Sequence, residues 1–246
     1  MKIRYISIRC ESDIMGEMFA IKFNSSVNFI CDYLSKASRK SSLESDLDYN
    51  MISVSLSSSN NSCSIIPENA LSIRIHVTSN ELLEYFEIER PDDRYELVLD
   101  LLQRGYRYAS SFYSIPYEGL MCIHNMFREI NFKNEWIEKK LFLRKYDMSI
   151  VFTSCFTETD FHLKMLLSHK KTQEFIQAKT VFSVPPHWAC FEKEIRRISL
   201  DGEIIYVDDF LGRHNCIISI KNDCQDKVTV VYSDSFKDWL YLCKTT

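Results

Sequence analysis

Residues 116–130, PYEGLMCIHNMFREI, repeat large apolar side chains every three or four positions, at Leu120, Ile123 and Phe127. This spacing places the three side chains on one face of an α-helix. Pro116 fits the first turn of that helix, because the N–H group that proline lacks would have no partner there. We therefore predict an amphipathic helix in the middle of the chain.

Two more helices are predicted before this stretch. One covers residues 81–87 with Ser79 as its cap, and the other covers residues 95–106 after Pro91 and Asp92. The three helices form a helical middle region, and the residues on both sides of it have a different periodicity.

The N-terminal region alternates apolar and polar residues, as half-buried strands do. We predict strands at residues 2–9, 18–23, 52–56 and 71–77. Between the second and third of these strands, Ser25 or Ser26 can cap a helix with an apolar stripe. The Ser-rich residues 35–48 are expected to form a loop.

The C-terminal region follows a short helical turn predicted at residues 134–136, and its period changes to two after Leu141. Thr157 and Asp160 fit either a hairpin turn or a helix capping box. Strands are predicted at residues 150–152, 161–167, 180–184, 195–200, 203–207, 216–220 and 227–232, before a closing helix at 236–242. Asp201 and Gly202 favour a tight turn between two of the strands.

These segments predict an α+β fold. A small antiparallel sheet with one helix comes first, a helical middle follows, and an antiparallel sheet ends the chain. Residues 1–90 would form an N-terminal lobe and residues 91–246 a helical and β lobe, either as two lobes or as one continuous domain.

Glycine is scarce, with five residues in 246, and no two of them lie close together. Nucleotide-binding loops need clustered glycines, because bare backbone N–H groups must approach the phosphates. The nucleophile elbow G-x-S-x-G is absent as well. The sequence therefore excludes the common nucleotide sites and the α/β-hydrolase type of serine enzyme.

The net charge of −4 and the pI near 5.9 argue against nucleic acid or an anionic membrane as partner, since both bind through basic surfaces. Nine scattered cysteines without a C-x-x-C pair are typical of reduced thiols. No signal peptide or membrane-spanning stretch is recognisable. We expect a cytoplasmic protein whose partner is another protein.

One enzymatic interpretation involves His187, at the head of one predicted strand, and Asp208, at the end of another. This order is similar to that of the papain-like thiol hydrolases, in which an acid orients the imidazole. The resemblance implies a nucleophilic thiolate, which would be Cys122 or Cys155. In the competing interpretation, His187 follows a rigid Pro-Pro turn and Asp208 only ends a strand.

A metal site is a weaker interpretation. Five nitrogen or sulfur donors fall in one region, namely His187, Cys190, His214, Cys216 and Cys224. Their spacing matches no common zinc motif, and cysteine is often a plain buried apolar residue. We therefore expect no metal and no other cofactor.

The favoured interpretation is a binding surface at the connection between the last two middle helices. The residues expected to carry it are Tyr106, Arg107, Tyr113 and Tyr117, with Asp92, Asp93 and Glu118 steering a basic partner. Tyr and Arg are typical of binding hot spots, although large aromatics also pack under loops as core. The sequence thus indicates an inhibitor or immunity protein that neutralises a toxin or effector, such as a nuclease domain. The alternative is the thiol hydrolase or transferase.

Overall fold

The structure is a computed structural model that describes residues 1–186, 195–220 and 228–245. It has the mixed α+β composition that the sequence predicts. Internal contacts divide the chain into two compact units, Met1–Asn134 and Glu135–Thr246. The division falls after the middle helices rather than at residue 90, because residues 91–110 pack on the N-terminal sheet and residues 117–129 pack on the N-terminal helix.

Unit 1 contains a four-stranded mixed sheet. Its strands are β1 (Tyr5–Cys10), β2 (Met51–Ser57), β3 (Ser62–Ile66) and β4 (Ala70–His76), in the order β1-β2-β4-β3. β1 and β4 run parallel to β2, and β3 pairs antiparallel with β4, so the sheet is mixed rather than antiparallel as predicted. A helix between β1 and β2 returns the chain to the starting side of the sheet, which makes these two strands parallel.

That helix, α1 (Glu17–Lys40), is longer than predicted at both ends. Residues 18–23 form its first turns, so the strand predicted there is wrong. Phe23 lies four residues before Val27, and both are fully buried, whereas Ile21 is exposed. Helical spacing therefore explains the burial, and the alternation in this segment is a coincidence of composition.

Side chains of α1 bond to the edge of β1 that faces away from β2. The β1 residues involved are Ile6, Ile8 and Cys10. Ser35 Oγ accepts from the Ile6 N–H at 2.9 Å and donates to the Ile6 carbonyl at 3.2 Å. Cys31 Sγ accepts from the Ile8 N–H at 3.4 Å. The Asn24 side-chain amide accepts from the Cys10 N–H and donates to the Cys10 carbonyl. The predicted Ser-rich loop is therefore partly a helix that lies along a strand.

Three helices follow the sheet: α2 (Ser79–Glu87), α3 (Pro91–Ser110) and α4 (Tyr117–Glu129). Thr78 and Glu81 form the capping box of α2, so the cap lies one residue before the predicted Ser79. α3 packs closely on the sheet at Gly105, where an added Cβ would come within 2.9 Å of Val54. α4 packs on α1 and α3.

Unit 2 contains two four-stranded antiparallel sheets. The first is β5 (Asn134–Leu143), β6 (Met148–Phe156), β7 (Phe161–His169) and β8 (Phe175–Val184), adjacent in that order. The second is β9 (Arg197–Asp201), β10 (Ile204–Asp208), β11 (His214–Ile220) and β12 (Val228–Tyr232), again adjacent in chain order. A 3₁₀ turn, Arg144–Tyr146, joins β5 to β6.

Several predicted details of unit 2 are confirmed. β6 and β7 form the expected hairpin, in which Thr157 Oγ1 accepts from the Asp160 N–H at 3.0 Å. Gly202 has a positive φ of 59° in the turn between β9 and β10. The helical turn predicted at residues 134–136 is wrong, because these residues begin β5.

The chain closes with α5 (Asp234–Thr245), which packs on the sheets as predicted. Phe236 lies 5.3 Å from Phe182 of β8 and 5.0 Å from Trp239, measured between ring centroids. None of the helices in the described parts of the chain combines the length and the apolar composition needed to cross a bilayer.

Candidate functional site

The connection between α3 and α4 exposes a large aromatic side chain. Phe112 is 61% exposed, and its ring lies 5.1 Å from the ring of Tyr108, one turn earlier in α3. Tyr113, the next residue, is half-buried. Because exposing a phenylalanine keeps apolar area in water, a side chain in this position is available to a partner.

A polar group lies beside this aromatic pair. The Tyr117 hydroxyl accepts hydrogen bonds from Gln103 Nε2 at 2.8 Å and from Arg107 Nε at 3.0 Å. Burial raises the pKa of Tyr117, but the hydrogen bonds from Gln103 and Arg107 outweigh this effect, so the net shift is downward. Arg107 itself is exposed, and its guanidinium is held in one orientation by the tyrosine.

Tyr106 does not lie on this surface, and the exposed position predicted for its side chain is wrong. Its side chain is fully buried, with its ring 5.6 Å from that of His124. Burial raises the pKa of Tyr106 well above the usual value. Successive residues of a helix point about 100° apart, so Arg107 faces solvent while its neighbour enters the core.

A loop from a distant part of the sequence lies against this connection. Ser114 Oγ donates to Asp46 at 3.3 Å, and the Tyr49 hydroxyl bonds to the Ser114 carbonyl at 3.5 Å. The same loop contains Glu44 and Asp48, and all three of its acidic side chains are exposed. The loop therefore brings negative charge to the edge of the α3–α4 connection.

The three predicted acids lie in two places: one in the first turn of α4 and two in the first turn of α3. Glu118 is exposed directly beside Tyr117, as expected. Asp92 and Asp93 lie at the start of α3, and the rise of 1.5 Å per residue puts them about 20 Å from Arg107. Asp93 pairs there with Arg90 at 3.7 Å. The structure does not bring these two acids to the connection, where Asp46 is instead the acid that bonds to Ser114.

We name the residues at this connection the aromatic–acidic surface. It consists of Arg107, Tyr108, Phe112, Tyr117, Glu118 and Asp46. No family model, curated protein or solved structure matches this chain. The functional argument therefore depends on the geometry of these side chains and of the other candidate groups.

The residues of the thiol interpretation are not assembled in the described part of the chain. Cys122 is exposed on α4. Cys155 is buried in β6, where desolvation raises the pKa of its thiol, and its Sγ donates to Glu135 at 3.6 Å. A raised pKa disfavours the thiolate that nucleophilic attack requires. His187 lies outside the described residues.

Asp208 is engaged by a different histidine from the one predicted. Its Oδ1 lies 2.6 Å from Nδ1 of His214, whose ring stacks on Tyr206 at 4.3 Å. Cys216 is fully buried, and desolvation raises the pKa of its thiol to about 12. In residues 1–186, 195–220 and 228–245, no three His, Cys, Asp or Glu side chains are placed to hold a metal ion. Cys190 and Cys224 of the predicted donor set lie outside these ranges.

Proposed function

We propose that this chain is a protein-binding module of the inhibitor or immunity type, which neutralises a basic toxin or effector domain through the aromatic–acidic surface. The carrying observation is the hydrogen-bonded group of Arg107, Tyr117 and Gln103 beside the exposed Phe112. Tyrosine and arginine are enriched among the few residues that dominate binding energy.

Two pairs of side chains on this surface contact each other in the free protein. Arg107 is tied to Tyr117, and Phe112 packs on Tyr108. Ordering a long side chain on binding costs about 0.5–1.5 kcal/mol. A surface that is ordered in the free protein avoids this cost, which supports a role in recognition.

The charges at the surface define the class of partner. Glu118 and Asp46 are exposed beside the aromatic residues, and the loop of Asp46 adds two further acids. Complementary charges mainly accelerate association and select the partner. A basic domain such as a nuclease toxin fits this pattern, and the acceleration should decline as salt screens the charges.

The thiol hydrolase or transferase has no comparable support. It needs an ionised cysteine next to a histidine, yet burial raises the pKa of Cys155, and Asp208 bonds to His214 instead of a nucleophile's base. Cys122 and His187 remain its two candidate residues.

The proposed function is tested by isolating the partner and then mutating the surface. The tagged chain is purified from native lysate, the stoichiometric partner is identified, and its affinity is measured for Arg107→Ala and Phe112→Ala. Each substitution should cost about 2 kcal/mol, close to a thirtyfold loss of affinity.

The control is Arg90→Ala, which makes the same charge change at the exposed residue directly before α3, about 25 Å away. It should bind the partner as the wild type does. If Arg107→Ala and Phe112→Ala instead lower the melting temperature and leave the affinity unchanged, the surface is core and the proposal is wrong.

A further inference from the structure

The turn between β10 and β11 holds two consecutive large apolar side chains in solvent. Phe210 is 56% exposed and Leu211 is 62% exposed. They lie at the tip of the turn, which begins after Asp208 and ends before His214. Isolated exposed apolar residues are common, but two adjacent ones in one turn call for a specific explanation.

The turn is braced by a buried carboxylate. Asp209 Oδ1 accepts from the backbone N–H groups of Leu211 at 2.8 Å and Arg213 at 2.9 Å. Its Oδ2 accepts from the Arg213 side chain, with Nε at 2.7 Å and Nη2 at 2.6 Å. Gly212 supplies the positive φ of 78° that closes the turn. The tip is therefore held in a fixed shape with its apolar side chains outward.

Two cationic side chains lie directly behind the tip. The Arg196 N–H donates to the Asp208 carbonyl at 2.8 Å, and Arg197 is opposite Asp208 in the β9–β10 register. Both arginines are exposed, and neither has an acidic partner among the described residues. Of the two acids in the turn, Asp209 is buried and pairs with Arg213, and Asp208 is buried with its Oδ1 against His214 Nδ1.

We infer that this tip docks on a membrane surface that contains anionic phospholipid. Phe210 and Leu211 would enter the boundary between headgroups and acyl chains, and Arg196 and Arg197 would meet the phosphates. Exposed apolar side chains at a turn need no complementary pocket in this setting. Arg196 and Arg197 are bound to or opposite Asp208, two residues before Phe210, which places them at the depth of the headgroups. These two features favour lipid over a protein pocket.

The negative net charge of the chain does not oppose this docking. Charges are screened over about 8 Å at physiological salt, so a membrane responds to the local charge at the tip. The sequence-based expectation of no membrane partner depends on the charge of the whole chain. Two apolar side chains and two arginines give weak, reversible binding, comparable to a single marginal anchor.

The test is co-sedimentation of the full chain with vesicles of one part phosphatidylserine to two parts phosphatidylcholine, and with vesicles of phosphatidylcholine alone. The wild type should bind the first more strongly than the second. The variants Phe210→Ala/Leu211→Ala and Arg196→Gln/Arg197→Gln should each reduce the partition coefficient about tenfold or more. Added salt should weaken the wild type and the apolar variant.

Matched controls are Phe175→Ala, at another exposed phenylalanine of unit 2, and Lys139→Gln/Lys140→Gln, at two exposed lysines of β5. Both should bind vesicles as the wild type does. Absence of binding to the anionic vesicles, equal loss in the controls, or a tip-dependent dimer without vesicle binding would each overturn the inference. These outcomes are independent of the aromatic–acidic surface of unit 1.

Discussion

The two candidate surfaces use the same residue types in opposite electrostatic settings. In unit 1, Phe112 is exposed beside Arg107, and the arginine is held by the neutral hydroxyl of Tyr117. In unit 2, Phe210 is exposed beside Arg213, and the arginine is held by the buried carboxylate of Asp209. Exposed acids lie near the first phenylalanine, and behind the second lie two arginines that have no acidic partner among the described residues.

This contrast shows why net charge is a poor guide to partners here. The value of −4 is the sum over the whole chain, and it reflects neither surface. A partner responds to the charges within roughly one screening length of the contact. One chain can therefore present an acidic surface to a basic protein and a basic tip to an anionic bilayer.

The stability of unit 1 should depend on pH through a buried histidine, whereas the histidine near the surface of unit 2 is partly exposed. Burial lowers the pKa of His124 to about 3, with a further contribution from Arg128, whereas His214 is half-exposed beside Asp208. In the unfolded chain His124 binds a proton near pH 6.5, so unit 1 is stable above this value and loses stability as the pH falls toward 3. The loss should reach about 3 kcal/mol at pH 4.

Spectroscopy can follow each unit separately, because all three tryptophans lie in residues 135–246 and most helical residues lie in unit 1. Denaturant unfolding followed by far-ultraviolet circular dichroism should show the pH dependence. His124→Phe should flatten it while leaving a constant offset above pH 7. An equally steep curve in the variant would contradict this prediction.

The carboxylates of Asp209 in unit 2 and Asp46 in unit 1 should differ strongly in how much they contribute to stability. Asp209→Ala removes the acceptor for two backbone N–H groups and leaves Arg213 without its partner, which should destabilise unit 2 by about 2–3 kcal/mol. Tryptophan fluorescence during denaturant unfolding measures this loss. Asp46→Ala, the matched change on the exposed surface of unit 1, should stay within about 0.5 kcal/mol by circular dichroism. Similar losses for both would mean that the two carboxylates are not held differently.

The smallest expected effects separate core from surface within unit 1. The Tyr106 hydroxyl has no hydrogen-bond partner among the residues that the structure describes, so Tyr106→Phe should leave stability unchanged or raise it by up to about 1 kcal/mol. It should not alter partner affinity. Tyr117→Phe removes the acceptor that orients Arg107 and should weaken the partner complex.

A clear destabilisation in Tyr106→Phe would point instead to an internal water that joins its hydroxyl to His124 Nε2, which is also buried without a partner in the described part of the chain. Melting curves of the two tyrosine variants, with the affinity measurement, distinguish these outcomes.

Local patterns predicted the elements whose burial follows their own periodicity. α3, α4 and the β6–β7 hairpin have apolar residues at helical or strand spacing and recognisable ends. β3 and β5 were missed because they are sheet-edge strands with mostly exposed residues, so no face alternates. The first turns of α1 were missed because Phe19 and Phe23, four residues apart, fit both the alternation of a strand and the spacing of a helix.

The site was harder to predict, because it depends on which helix face meets the sheet. Gly105 is the signal that could have helped: a residue without a side chain marks the close contact of α3 with Val54, and Tyr106 follows it into the core. The contribution of Asp46 had no local signal. It reaches the surface through contacts with Ser114, which lies 68 residues away in sequence.

The hydrogen bonds between α1 and β1 have a consequence for self-association. An open strand edge is a template on which other chains can add strands and aggregate. Here Asn24, Cys31 and Ser35 bond to the outward-facing backbone groups of β1, so this edge offers no template. Strand addition to the sheet of unit 1 is thereby restricted to the β3 edge. Of the sheet's two edge strands, α1 protects β1 against fibril-like growth.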